Sequence, residues 1–334
     1  MKPFQHVGLY FFLVAMSTVG MAQTPPASPT ATAPAKSESK TPAPKKEVIT
    51  STKPVDADGQ KQIKEFISNR AAIILNSDPK RARQATSDVL GVVRQSGATP
   101  IFLRACLDTL KPFVANVMAT NNSFRIINML EIIRYTNTPE AVDILIEQVT
   151  PSIQKNVVIR IAAGRLLPSC IPSANMNAPQ LDRAARNIRT AADEETNWIV
   201  NVHEMQSLAA MITFAQDSKL MPQIELSREE FLKVLTGISN KTLNPSSEGA
   251  DQVFALQRGL IMLRDILLKT PKDQILNITS QIRPITQKVK QLAASGVISD
   301  ASLKQSESGS LKVAATIDTL IGDKATATPA KSPI

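Results

Sequence analysis

SFRIINMLEIIRYTNTPEAVDILIEQVTPSIQKNVVIRIAAGRLL, residues 123–167, is the stretch whose reading decides the fold. Ile126, Ile127, Leu130 and Ile133 fall at helical spacing, as do Val142, Leu145, Ile146 and Val149. Ile159, Ala162, Ala163, Leu166 and Leu167 repeat the pattern. Three amphipathic helices follow, each with one apolar face that a neighbour must cover. The connectors at 136–138 and 150–155 are too short for anything but antiparallel neighbours. Thr138-Pro139-Glu140 marks a helix start, with a hydroxyl at the N-cap, proline in the first turn and an acid beside the positive end of the dipole.

Residues 139–149 (PEAVDILIEQV) resemble the first helix of a HEAT repeat. Residues 159–167 resemble the second, whose Val-Arg, paired alanines and leucine correspond to Ile159-Arg160, Ala162-Ala163 and Leu166. Phe124-Arg125 lies 35 residues before Ile159-Arg160, within the period of stacked helical pairs. Asn156 stands where the family often has aspartate. The resemblance spans about one and a half repeats. It implies an α-solenoid with a ridge of second helices on its inner face, and no particular activity. Some HEAT-like proteins are enzymes, bilin lyases and alkylpurine DNA glycosylases among them, but none of their functional residues is mapped onto this chain.

The composition agrees with an all-α chain. It is 43% hydrophobic but only 4% aromatic, which suits many small helical layers better than a β-sandwich. Outward from the central stretch, helices are expected at 60–76, at 80–95 and from Thr99-Pro100 to Met118, the last kinked or split at Pro112. Beyond Leu167, Pro168, Pro172 and Pro179 bracket an irregular connector. Helices then follow at 180–195 and 198–215. Ser227-Arg228-Glu229-Glu230 reads as a capping box opening a helix to Ser239, and 241–249 as a turn-rich loop. Helices at 252–268, at 272–293 (interrupted at Pro284) and at 300–321 (broken near Ser308-Gly309-Ser310) complete a HEAT/armadillo-like helical-repeat domain over 59–322. The expected total is about eleven or twelve helices.

The flanks differ. Lys2, the apolar run 7–19 and Gly20-Met21-Ala22 form a secretory signal over 1–22, with an uncleaved anchor as the other reading. Residues 23–58 are rich in Pro, Ala, Thr, Ser and Lys and are expected to be a disordered linker. Residues 323–334 share that composition and are expected to be a disordered tail. Together these point to a periplasmic or secreted bacterial protein with no later membrane span. The sequons at Asn121, Asn240 and Asn277 read as chance matches in that setting.

Charge and chemistry narrow the function. The chain carries +9 formally; within 59–322 thirty basic residues face twenty-four acidic ones, a mild excess that does not argue for nucleic-acid binding. His203-Glu204 lacks the second histidine of a zinc protease, since position 207 is Ser207. Cys106 and Cys170 could pair in an oxidising compartment, but three predicted helices between them favour two buried thiols. Neither neighbours a histidine base. No metal or cofactor is expected.

The expected function is therefore an exported, non-enzymatic scaffold that binds another protein along its second helices. Arg125, Arg134 and Arg160 are the candidate contacts. The alternative is a binder of anionic envelope polymer through Arg183, Arg186 and Arg189, which share one helix stripe, together with Lys80, Arg81 and Arg83. An enzyme such as a HEAT-like lyase is the third reading.

Overall fold

The computed structural model describes residues 41–244 and 250–325, with side chains through 322. The expected signal 1–22, residues 23–40 of the expected linker and residues 326–334 of the expected tail lie outside the described residues, as does the loop 245–249.

Among the described residues there are thirteen α-helices and no strand. They are α1 (Lys46–Ile49), α2 (Ala57–Asn76), α3 (Pro79–Val93), α4 (Pro100–Ala119), α5 (Ser123–Arg134), α6 (Pro139–Val149) and α7 (Val157–Cys170). After a 3₁₀ turn at Ile171–Ser173 come α8 (Ala178–Glu194), α9 (Trp198–Asp217), α10 (Met221–Leu243), α11 (Gln252–Lys269), α12 (Lys272–Ser295) and α13 (Ala301–Ala325).

Local chemistry sets the starts. Every helix from α2 to α9 begins on Asp, Asn or Thr whose side chain accepts a first-turn backbone N–H. These caps satisfy donors that a helix leaves orphaned. Asn177 and Gln180 close a full capping box.

Packing then sorts the helices into two rows. From α2 onward, even-numbered helices form one row and odd-numbered helices the other, each packing on its pair partner and, with one exception, on the next helix of its row. The exception lies between α4 and α6, where the first row parts around a cavity of about 490 Å³. Arg104 of α4 bridges that gap to Glu140 of α6 at 2.7 Å. One continuous apolar core runs between the rows, from Ile49 to Ile321. This is how stacked helical pairs bury faces that no single pair could cover.

Polar bonds across successive turns of the second row record the repeat. Asn156 Nδ2 donates to Ser123 Oγ at 2.9 Å, 33 residues earlier. Arg165 reaches Glu131 across 34 residues, and Arg134 reaches Ser169 across 35. Farther on the interval lengthens, to 51 for Asn201 and Gln252. Asn156 does two things here, since its Oδ1 also caps α7 by accepting from Val158 N–H at 3.0 Å. Asn156→Ala is expected to lower stability by about 1 kcal/mol. Asn156→Asp should retain most of that, keeping the cap and losing only the Ser123 bond; urea unfolding midpoints of the two variants check this.

Several expectations are corrected. Pro112, Pro168 and Pro284 all lie inside continuous helices. Each removes one ladder bond, but buried stripes continue on both sides: Leu110 and Val117 in α4, Leu167 and Cys170 in α7, Ile282 and Ile285 in α12. The Ser227 box caps nothing: α10 begins at Met221 with Pro222 in its first turn, and Ser227 and Glu230 are buried in its interior. The turn at Lys219, with φ 58°, ends α9 just before it. α13 runs unbroken through Ser308-Gly309-Ser310, where Gln257 of α11 lies against Gly309.

The expected linker is also shorter than 23–58. The compact body runs from Thr41, and Ile49 and Val55 are buried in it. Thr99 N–H donates to Ile49 O at 3.1 Å and Thr99 Oγ1 to Ser51 O at 2.8 Å, tying this segment to the start of α4. Averaged composition hid two apolar anchors in a polar stretch.

Candidate interaction face

The arginines singled out in the sequence divide into three groups. Arg160, near the start of α7, is only 8% exposed. Its Nε and Nη2 donate to the two carboxylate oxygens of Glu195 at 2.7 and 3.0 Å, and Nη1 donates to the Gln154 and Lys155 carbonyls. All three guanidinium nitrogens are committed inside the fold. Arg160 is a structural residue, and the expectation of a partner contact there is corrected.

On α8, Arg183 pairs with Asp143 of α6 at 2.7 Å, and Arg189 with Asp193 one turn on at 2.7 Å. Only Arg186 of that stripe is exposed without a carboxylate partner among the described residues. Two of the three charges of that stripe are thus already neutralised.

Arg125 and Arg134, at the two ends of α5, are half-buried and have no carboxylate partner among the described residues. Arg125 Nη2 donates to Ser77 O at 3.5 Å. Arg134 Nε donates to Ser169 Oγ at 3.0 Å and Nη2 to Ser169 O at 3.3 Å. Its Cζ also stands 4.0 Å from the centroid of the Tyr135 ring.

The sequence reading missed Arg94. This exposed residue caps the C-terminal end of α3, and its Cζ lies 3.7 Å from the same Tyr135 centroid. One aromatic ring therefore holds two guanidinium groups, in contacts worth about 0.5–1 kcal/mol each at exposed sites. Both arginines sit where a helix C-terminus favours positive charge. Their proximity follows from the stacking of α3 on α5, and nothing local in either segment signals it. At the other end of the same two helices, Arg83 lies over the Phe124 ring at 5.3 Å; Lys80 is one turn earlier on α3 and Arg125 follows Phe124 on α5.

Nearby acids are spent. Asp88 binds Arg70 at 2.8 Å, Glu131 binds Arg165 at 3.2 Å, and Asp78 caps α3. On this face Lys80, Arg83, Arg94, Arg125 and Arg134 have no carboxylate partner among the described residues.

A second polar group is buried between α7, α8, α9, α10 and α11. Glu195, just after α8, accepts from Arg160 and from the Thr196 and Asn197 N–H groups. Lys241 Nζ donates to the Ala192, Asp193 and Glu195 carbonyls, capping the end of α8. Asn201 Nδ2 donates to Gln252 Oε1 at 3.0 Å, and Gln252 Nε2 to Thr196 O at 2.6 Å. Glu204 of α9 is fully buried, and neither carboxylate oxygen has a hydrogen-bond partner. Burial, and then the charge of Glu195, push its carboxyl well above the usual carboxylate range, against the opposing pull of Lys241 and Arg160.

The remaining chemical candidates are packing residues. His203 Nδ1 lies 2.8 Å from Gln206 Oε1, and its Cβ packs where a side chain at Gly164 would stand. Burial lowers its pKa. Cys106 and Cys170 are free and buried, and burial raises both thiols, Cys170 to about 12. Neither is a nucleophile at neutral pH. Among the described residues, no cluster of three His, Cys, Asp or Glu side chains could hold a metal ion. Likewise, no helix among them is long and apolar enough to cross a membrane. A cavity of about 790 Å³ between α2 and α4 is lined by Ile63, Ile101, Pro112 and Phe113. Of its polar members, Arg104 and Asp108 are paired with each other.

Comparison with protein-family models, with curated proteins and with solved structures finds no match to this chain.

Proposed function

We propose that this chain is an exported, non-enzymatic scaffold of the HEAT type that binds another protein along the second-row helices α3, α5 and α7. The observation that carries the reading is the face just described, where five cations stand without acids while most neighbouring charges are paired. Unneutralised, partly ordered arginines beside aromatic rings are what protein interfaces favour over lysine-rich solvated surface. The 33- to 35-residue recurrence of cross-turn bonds supports the family assignment. A binding role is supported by where the buried titratable groups lie: Glu195, Glu204, Cys106 and Cys170 line none of the cavities described above. Export is supported by the charged start, apolar run and small residues of the first 22 positions.

A photo-crosslinking residue at Ser87, exposed on α3, is expected to trap a discrete partner protein in native envelopes. The same residue at Ser280, exposed on α12 of the other row, is expected not to. Equal labelling from both positions, or none from Ser87, would count against the scaffold reading. The polymer alternative makes a different prediction, a steep fall of binding with ionic strength and no discrete crosslinked protein.

A further inference from the structure

We infer that the segment held on the α3/α5 face is an acidic stretch of polypeptide interspersed with apolar residues, with a carboxylate bound by Arg94 and Arg134 at the edge of the Tyr135 ring they share. This rests on the scaffold reading above and names the chemistry of its partner. Both guanidinium centres lie within 4.0 Å of one ring centroid, so they are less than about 8 Å apart. Two like charges at that distance repel, and among the described residues neither has a carboxylate partner to offset it. A carboxylate at the edge of the ring, within reach of both groups, offsets both charges.

The site is built in advance. Tyr135 orients both groups, and the Ser169 hydroxyl and carbonyl fix Arg134 through Nε and Nη2, while Nη1 has no hydrogen-bond partner among the described residues. Arg94 spends no side-chain N–H on a partner among the described residues. Pre-ordered arginines lose little freedom when a ligand arrives.

A second anchor lies at the other end of the same helices, where Arg83 of α3 stands over the Phe124 ring of α5, with Lys80 one turn before Arg83 and Arg125 next to Phe124 in the chain. From Arg83 to Arg94 the rise along α3 is about 16 Å. Roughly five residues of extended chain span that distance. Apolar surface accompanies the charge: Val158, 53% exposed at the start of α7, lies two residues beyond Asn156, whose side chain bonds the start of α5. A uniformly charged polymer has no use for exposed valine and aromatic edges, whereas an acidic peptide with apolar residues does.

The test uses the full chain and a fluorescent peptide rich in glutamate with interspersed leucine. Its controls are the same peptide with glutamine for glutamate, and inorganic polyphosphate. Arg94→Glu and Arg134→Glu are each expected to weaken binding of the acidic peptide by about tenfold or more. Lys304→Glu, exposed on α13, should change nothing. Arg94 has no hydrogen bond to lose, so its variant keeps the test valid should Arg134→Glu disturb the Ser169 contact; melting curves report that directly. Equal binding of the glutamine peptide, or reversals without effect, overturns the inference. Polyphosphate binding as tightly and being released by the same reversals overturns it in favour of the polymer. If crosslinking from Ser87 still captures a partner that the reversals do not release, the acidic-segment inference fails and the scaffold reading stands. If peptide and crosslink both fail, both readings fall.

Discussion

Arg160→Ala is expected to lower the free energy of unfolding by about 3–5 kcal/mol, the usual cost of breaking a buried ion pair by removing one partner. The magnitude comes from what is left behind. Glu195 is fully buried and would keep only the Thr196 and Asn197 N–H donors. Glu204 would lose one of the two cations that oppose its protonation. The Gln154 and Lys155 carbonyls at the start of α7 would lose their shared donor. The bond spans 35 residues, so the damage falls on the seam between two helical pairs and reaches beyond one helix. Replacing both partners together, as Arg160→Met with Glu195→Leu, should recover most of the loss, because no buried charge then remains unpaired. Urea titrations with unchanged slope measure both effects. A single variant within about 1 kcal/mol of the parent would show that water reaches Glu195 and that the seam is held by apolar packing alone.

What the sequence disclosed and what it hid divide along the range of the interactions involved. The central stretch was legible because its signals are local. Thr138-Pro139-Glu140 starts α6 through a cap that spans three residues, and the apolar stripes of α5, α6 and α7 are visible at a spacing of three and four. Arg160 was legible as a HEAT-like position, yet its role was not, since its partner Glu195 lies 35 residues away. Arg94 was invisible for the same reason: only the stacking of α3 on α5 brings it to Tyr135. Ser227 misled because a polar run resembling a cap can also be an interior turn whose hydroxyl and carboxylate are buried among neighbours. The prolines misled because helix propensity was weighed without the packing that overrides it. Residues 41–58 were misread because composition averages away two buried side chains.

The orphaned carboxyl of Glu204 carries the second large effect. Its folded-state pKa is raised well above the ordinary glutamate value of 4.5, so between the two values the folded chain holds a proton there that the unfolded chain has released. The native state binds more protons than the unfolded one above pH 4.5, which makes stability fall as pH rises through the folded pKa. The contribution is fully present below pH 4.5 and is lost on the alkaline side. The charged groups that face Glu204 are Glu195 beyond α8, Asp193 of α8, Arg160 of α7 and Lys241 of α10, while α11 offers the neutral Gln252. Glu204→Gln keeps the shape and removes the titration, and its amide has the unmatched Asn201 Oδ1 one helical turn back as an acceptor. The variant is expected to be more stable than the parent at neutral pH by about 1–3 kcal/mol, the scale of an unsatisfied buried group. The difference between the two should shrink toward pH 4.5, where the parent's carboxyl is protonated in both states. Paired urea titrations across that interval isolate Glu204, because every other titrating group is common to both chains. A Glu204→Gln chain less stable than the parent at neutral pH would mean that the carboxylate is ionised in the fold and held by Lys241 and Arg160. The buried cluster would then be a charged network, and the Arg160→Ala loss should grow accordingly.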